Sequence, residues 1–379
     1  MTDRKRAHGL VVGSWIVAAL TVLALLYAVL DHLAASTVGG ESHMHMSNAF
    51  FRVGAGAPTQ PLLGSALITA WQLDPVALAV LVLLAAGYLT AVALVPVRTP
   101  GERWPANDTA LFLSGLVVIG LATNSSIAVY DQVLFTAHMV GHLALVMLAP
   151  AMLVAGRPFS LLVAASARPD RTRSMLQGRE LSFLTAPPVA LASYAVVIVG
   201  SHLTGLMDDI MRYTWAGQVE HLVYVVAGVQ FFVLVIRAEP LRWSLTTPAR
   251  WLMLAIAMAV DTFTGVVLLQ STTAVGMRTA PALNVNALSD TRTGGAIMWV
   301  GGDAIMAAVM VALVIGWLRH SDRRQRDQLG WAEQARRATF TEHTGLAVRP
   351  ASEDDAGFDD DTAARSAYNE WLRSLSRDR

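Results

Sequence analysis

Apolar residues fall in long unbroken runs along this chain, with polar and charged residues gathered between them. Eight runs, at about 10–30, 74–97, 109–129, 132–155, 183–203, 214–236, 251–271 and 294–317, reach the roughly 20 residues that an α-helix needs to cross a bilayer. The pattern predicts an all-α, polytopic membrane bundle. Its expected parts are an N-terminal transmembrane anchor (1–31), an outer loop (32–72), a seven-helix membrane domain (73–318) and a charged cytoplasmic tail (319–379).

Composition agrees: 54% of the 379 residues are hydrophobic and 15% charged, where a soluble domain carries about a quarter charged residues. The formal net charge of zero gives no pull toward nucleic acid. No nucleophile–base arrangement, phosphate loop or nucleotide motif appears, so an enzyme is not expected. The absence of cysteine excludes disulfides, Fe–S clusters and thiolate zinc sites. Soft-metal chemistry would therefore rest on the 15 Met and 10 His.

The distribution of charge sets an orientation. Arg4-Lys5-Arg6, Arg98 and Arg103, Arg157 to Arg179, Arg237 to Arg250 and the Arg-rich tail all fall on one side if the eight spans are real. The opposite loops hold Arg52, Arg212, Arg278 and Arg292, which predicts cytoplasmic termini. Small residues at Leu33-Ala34-Ala35-Ser36 resemble a signal-peptide cleavage site. The first run is nevertheless longer than the usual 7–15 residues of a signal core, so an uncleaved anchor is the reading. In the tail, Arg319–Arg337 could extend the last span, an acidic stretch follows, and Ala364, Tyr368, Trp371, Leu372 and Leu375 recur at helical spacing.

Against this background the histidines stand out. His138 and His142 lie four residues apart in the uncharged run Val133–Ala155, on one helical face. At 1.5 Å per residue they sit about 9 and 15 Å inside the outer end of their span. His202 falls at the outer end of the next span, and His221, preceded by Glu220, about two turns into the one after. Imidazoles in lipid are costly without partners, so four at similar depth on three helices point to a shared buried site, although each could also serve a backbone carbonyl. Asp261 and Asp303 fall near mid-membrane, suited to orienting a histidine, relaying protons or pairing helices. Met139 and Met298 could extend a ligand path, yet methionine in an apolar helix is more often packing. In the outer loop, His43-Met44-His45-Met46 alternates imidazole and thioether, a donor set suited to Cu(I).

From Leu73 to about Leu318 the chain resembles the CtaG family of cytochrome c oxidase assembly factors, in its multi-span branch linked to caa-type oxidases. The resemblance rests on Phe135-Thr136-Ala137-His138-Met139-Val140-Gly141-His142, Leu148-Ala149-Pro150, Gly156-Arg157-Pro158, Glu220-His221 and Gly294-Gly295-Ala296-Ile297-Met298-Trp299, in the expected order. It implies a seven-helix core in the bacterial cell membrane that helps mature a haem–copper oxidase, through delivery or insertion of copper on the outer side. Gly141 stands where the resemblance leads one to expect Gln, and the N-terminal helix with its His/Met loop is additional.

The expected function is a non-enzymatic assembly factor binding copper, as Cu(I), at His138, His142 and His221 with His202 near the mouth. His43, Met44, His45 and Met46 would capture the ion. An oxidase subunit, the lipid bilayer and another copper chaperone are the expected partners. Three alternatives stay open: a b-type haem protein with axial histidines from two helices, a copper transporter, and a chaperone acting through its helix surfaces alone.

Overall fold

The computed structural model describes residues 60–131, 133–207, 214–236, 239–275 and 283–344, with side chains to Leu318, and a few isolated positions elsewhere. The expected first span, the loop residues His43, Met44, His45 and Met46 and most of the terminal amphipathic stretch lie outside the described residues. Residues 1–310 and 311–379 form two units. The first contains the bundle, and the second contains the part of the last helix that runs to Thr344.

The described elements follow the hydrophobic runs. Strand β1 (Val53–Gly54) and helix α1 (Ala66–Thr69) lead to strand β2 (Gln72–Leu73), which pairs antiparallel with β1. This two-residue ladder is a small addition to the all-α expectation. Then come α2 (Pro75–Arg98), α3 (Ala106–Asn124), α4 (Ser126–Tyr130) and α5 (Phe135–Leu143). A π-turn (Ala144–Leu148) joins α5 to α6 (Ala149–Ala155), followed by α7 (Pro158–Ala165), α8 (Pro169–Leu176) and α9 (Arg179–Leu184). The remainder is α10 (Pro187–Leu203), α11 (Thr214–Val235), α12 (Thr247–Leu269) and α13 (Ala287–Thr344).

Among the described residues six helices are long and apolar enough to cross a membrane: Pro75–Arg98, Ala106–Tyr130, Phe135–Ala165, Ala216–Val235, Thr247–Leu269 and Ala287–Leu318. A shorter apolar helix, Pro187–Leu203, occupies the fifth expected span. Its start is set by Pro187-Pro188, since proline is tolerated in a first helical turn but not further in. Large apolar side chains such as Val80, Val196, Leu222, Phe263 and Val300 are exposed on the bundle, as a lipid-facing surface requires.

The span carrying His138 and His142 is not one regular helix. Pro150 has no N–H to offer the Val146 carbonyl four residues back, and the helix adjusts by a π-turn in which the Ala149 N–H bonds the carbonyl of Ala144. Helix α11 packs on this irregularity through Gly228, where a Cβ would collide with the Val146 carbonyl oxygen and come 2.6 Å from Pro150 Cγ. Gly228→Ala is therefore expected to lower stability by about 1–3 kcal/mol through overpacking. Gly217→Ala on the same helix, where nothing lies within 4 Å of the added methyl, should leave the unfolding temperature in detergent nearly unchanged.

The far end of that span shows what Gly156-Arg157-Pro158 does. Gly156 sits where a Cβ would come 2.6 Å from Phe112 Cβ, and its carbonyl accepts from the Tyr88 hydroxyl at 2.7 Å. Arg157 takes a left-handed conformation (φ 55°), with its guanidinium 3.5 Å from Asp108 and 5.2 Å over the Trp104 ring. Pro158 then opens α7, where the Ser160 N–H and hydroxyl donate to Glu239 at 2.8 and 2.5 Å.

Burial raises the Glu239 carboxyl above the ordinary glutamate range, with Ser160 and Arg157 offsetting only part of the effect. The folded state thus holds this proton more tightly than the unfolded state does. Stability falls as pH rises from about 4.3 through the raised folded value. Glu239→Gln, which keeps an oxygen for Ser160, should flatten that part of the pH–stability curve measured by thermal unfolding.

Candidate functional site

Helices α5 and α11 run parallel and meet in a ladder of residues four apart. Glu220 faces His138, with Oε1 3.7 Å from Nε2. One turn on, the Tyr224 ring meets the His142 ring edge-on at 4.5 Å between centroids. One turn further, Gly228 lies on Val146 and Pro150. The missing side chain at Gly228 lets the backbones approach, and the approach brings the polar rungs together.

His202 enters from α10 to complete the group. Its ring lies 4.6 Å from His142 and 6.1 Å from His138, centroid to centroid. His138, His142 and His202 are all buried, at 3%, 1% and 2% exposure. Three of the four membrane histidines expected from their depth therefore converge directly.

Each ring is held by a different device. The first turn of α5 is capped from another helix: Asp290 of α13 accepts from the Phe135 N–H at 2.6 Å and the Thr136 N–H at 3.3 Å. A carboxylate at a helix N-terminus satisfies otherwise unpaired donors and opposes the helix dipole. His138 Nδ1 lies 2.7 Å from Asp131 Oδ1, and His202 Nδ1 lies 2.9 Å from the Ile198 carbonyl and 2.7 Å from Ser201 Oγ. A carbonyl can only accept, so His202 carries its proton on Nδ1. The same assignment follows for His138 when it donates to the Asp131 carboxylate. In His202 the lone pair is then on Nε2, while His138 stands between two carboxylates, Asp131 at Nδ1 and Glu220 at Nε2.

The ring nitrogens that face the group make no hydrogen bond. His138 Nε2, His202 Nε2 and both nitrogens of His142 are buried and have no hydrogen bond. Unpaired buried imidazole nitrogens are the form that coordinates a metal ion, and carboxylate or carbonyl groups behind the rings are the usual supports of such ligands. Among the described residues no three His, Asp or Glu side chains already surround a single point as a formed metal site. The donor types, imidazole nitrogens with carboxylates behind them, are those that coordinate cations.

His221 is attached differently from the sequence expectation. Its Nε2 lies 3.7 Å from Asp131 Oδ2, so Asp131 stands between His221 and His138. Burial pushes the Asp131 carboxyl up, but the two histidines outweigh it and hold the group below the ordinary carboxylate range. Glu220 also accepts from the Tyr224 hydroxyl.

Of the other candidates, Met139 and Met298 are wholly buried, with Met139 set against Gly294 in the seam with α13, where an added Cβ would lie 3.0 Å from its Cγ. That is the position of a packing side chain. Asp261 is wholly buried against Gly302, and Asp303, partly buried, accepts from the Thr262 hydroxyl at 3.0 and 3.1 Å. Asp131, Tyr224 and Asp290 were not among the expected site residues. Tyr224 had a signal, four residues after Glu220 on the same face. Asp131 lies two residues before the uncharged run, where a span boundary hides it.

A bundle of apolar helices with histidines and carboxylates gathered in its interior defines a polytopic membrane protein with a polar internal site. Residues 86–320 match the family of cytochrome c oxidase caa3 assembly factors (Caa3_CtaG), and the chain belongs to that family. It is also similar to uncharacterized proteins of mycobacteria. One from Mycobacterium bovis is 28% identical over 84% of this chain and 46% of its own length, and one from Mycobacterium leprae is 28% identical over 82% and 45%. The chain thus spans about half the length of these curated relatives. No solved structure matches it.

Proposed function

We propose that this protein is a non-enzymatic assembly factor that holds copper, as Cu(I), in the histidine cluster and passes it to a haem–copper oxidase subunit. The observation that carries the reading is the set of buried nitrogens without a hydrogen bond on His142 and His202, with the His202 proton committed on the other side of its ring and His138 beside them. Membership of the oxidase assembly family supplies the partner. With both termini cytoplasmic, the cluster lies toward the outer face, where the His43–Met46 segment would gather the ion. His138, His142 and His202 are the ligands in this reading, while Asp131, His221 and Glu220 orient them and balance charge.

A haem between these rings is less well supported. His142 and His202 lie edge-on with ring centroids 4.6 Å apart, too close for a porphyrin plane between those two rings, so a haem would need one ligand from α5 and His221 from α11. The test is the copper content and visible spectrum of protein purified without a histidine tag. About one copper per chain and no Soret band is the expected result, and a Soret band would replace copper handling by haem binding.

A further inference from the structure

Away from the histidines, α12 carries Asp261 fourteen residues from Thr247 and eight from Leu269, well inside its span. The side chain is 0% exposed, and neither carboxylate oxygen has a hydrogen-bond partner. Among the described residues no Arg, Lys or His forms an ion pair with it. It lies on the backbone of α13 at Gly302, where a Cβ would overlap Oδ2 and come 3.3 Å from the methyl of Met147. From α10, which packs on α12, Tyr194 brings a second buried polar group, 0% exposed and with its hydroxyl unpartnered.

We propose that Asp261 and Tyr194 form a second site inside the bundle, separate from the histidine cluster, whose ligand is a proton carried on the Asp261 carboxyl. An ionised carboxylate needs donors or a counter-charge, and this one has neither; in a lipid-embedded interior the neutral acid is the form that such surroundings accept. The groups around Gly302 and on α10 offer it no counter-charge. The π-turn offers Met147, which does not titrate, and α10 offers a phenol. Helix α13 offers Gly302, which has no side chain to donate. The Thr262 hydroxyl is committed to Asp303 and cannot donate to Asp261.

A metal cation is a poorer occupant. Hard cations take six or more oxygens, and this site has two carboxylate oxygens and one phenol. One proton satisfies it. Tyr194 and His202 lie eight residues apart on α10, about 12 Å at 1.5 Å per residue, so the site is separate from the cluster and stands whatever the histidines bind.

Infrared spectra of the purified full chain in lipid nanodiscs near neutral pH test the assignment. The wild type minus Asp261→Asn difference should show loss of one carboxylic-acid C=O band that shifts in D2O and does not respond to added sodium, potassium or calcium. Asp303→Asn should retain that band. Loss of an ionised-carboxylate band in the Asp261→Asn difference, or a cation-dependent shift, would overturn the proposal. Should Asp261→Asn fail to accumulate, carbon-13 NMR of aspartate-labelled Asp303→Asn protein carries the same decision: a neutral-acid carboxyl carbon supports it, and only ionised carboxylates refute it.

Discussion

The His138→Ala/His142→Ala double variant is expected to lose copper to background in the purified protein and to leave cells deficient in mature oxidase. Both side chains face α11 and α10 from one side of α5, and between them they carry three of the four buried nitrogens that make no hydrogen bond in the three-ring cluster. What remains is His202 alone, with Glu220 and Tyr224 already bonded to each other. A single imidazole cannot enclose a soft ion. Affinity should drop by at least about a hundredfold, or roughly 2.7 kcal/mol. The substitutions also leave space beside Tyr224 and His202, so the variant must be shown to be folded and monodisperse. A folded variant with unchanged copper and unchanged oxidase maturation would remove the histidines from function and leave a chaperone acting through its helix surfaces.

How far the sequence carried is set by which interactions are local. Seven of the eight apolar runs fall on described helices because a run of apolar residues decides its own fate in a bilayer: the backbone must bond within itself. The i,i+4 pair on α5 was equally legible, since helix geometry alone puts His138 and His142 on one face. The π-turn was not legible in detail. Pro150 marked a break, but whether a freed carbonyl yields a kink or a π-turn depends on the neighbour, here Gly228. The cap on α5 was invisible for the same reason, because Asp290 reaches Phe135 across 155 positions of sequence. Depth along three spans placed His202 and His221 level with the pair, yet only packing could tell that His202 touches His142 whereas His221 meets the group through Asp131.

That last distinction yields the second large effect. Asp131→Asn removes the charge behind both His138 and His221 while leaving every histidine in place. Its carboxylate fixes the His138 proton on Nδ1, and losing such a support typically weakens metal binding 10–100-fold. Competition with a chromogenic Cu(I) chelator should show that loss. Because the folded-state carboxyl is held below the ordinary range, its contribution to stability is present above the unfolded value, about 3.9, and disappears as pH falls through the lower folded value. The stability difference between wild type and Asp131→Asn should therefore narrow as pH falls below about 5 and close in stronger acid. If His221 acts through Asp131, adding His221→Ala to Asp131→Asn costs little more, whereas a direct ligand would contribute its full separate loss. The two arrangements separate cleanly on this cycle: non-additive losses keep His221 behind the carboxylate, and additive ones return it to the metal.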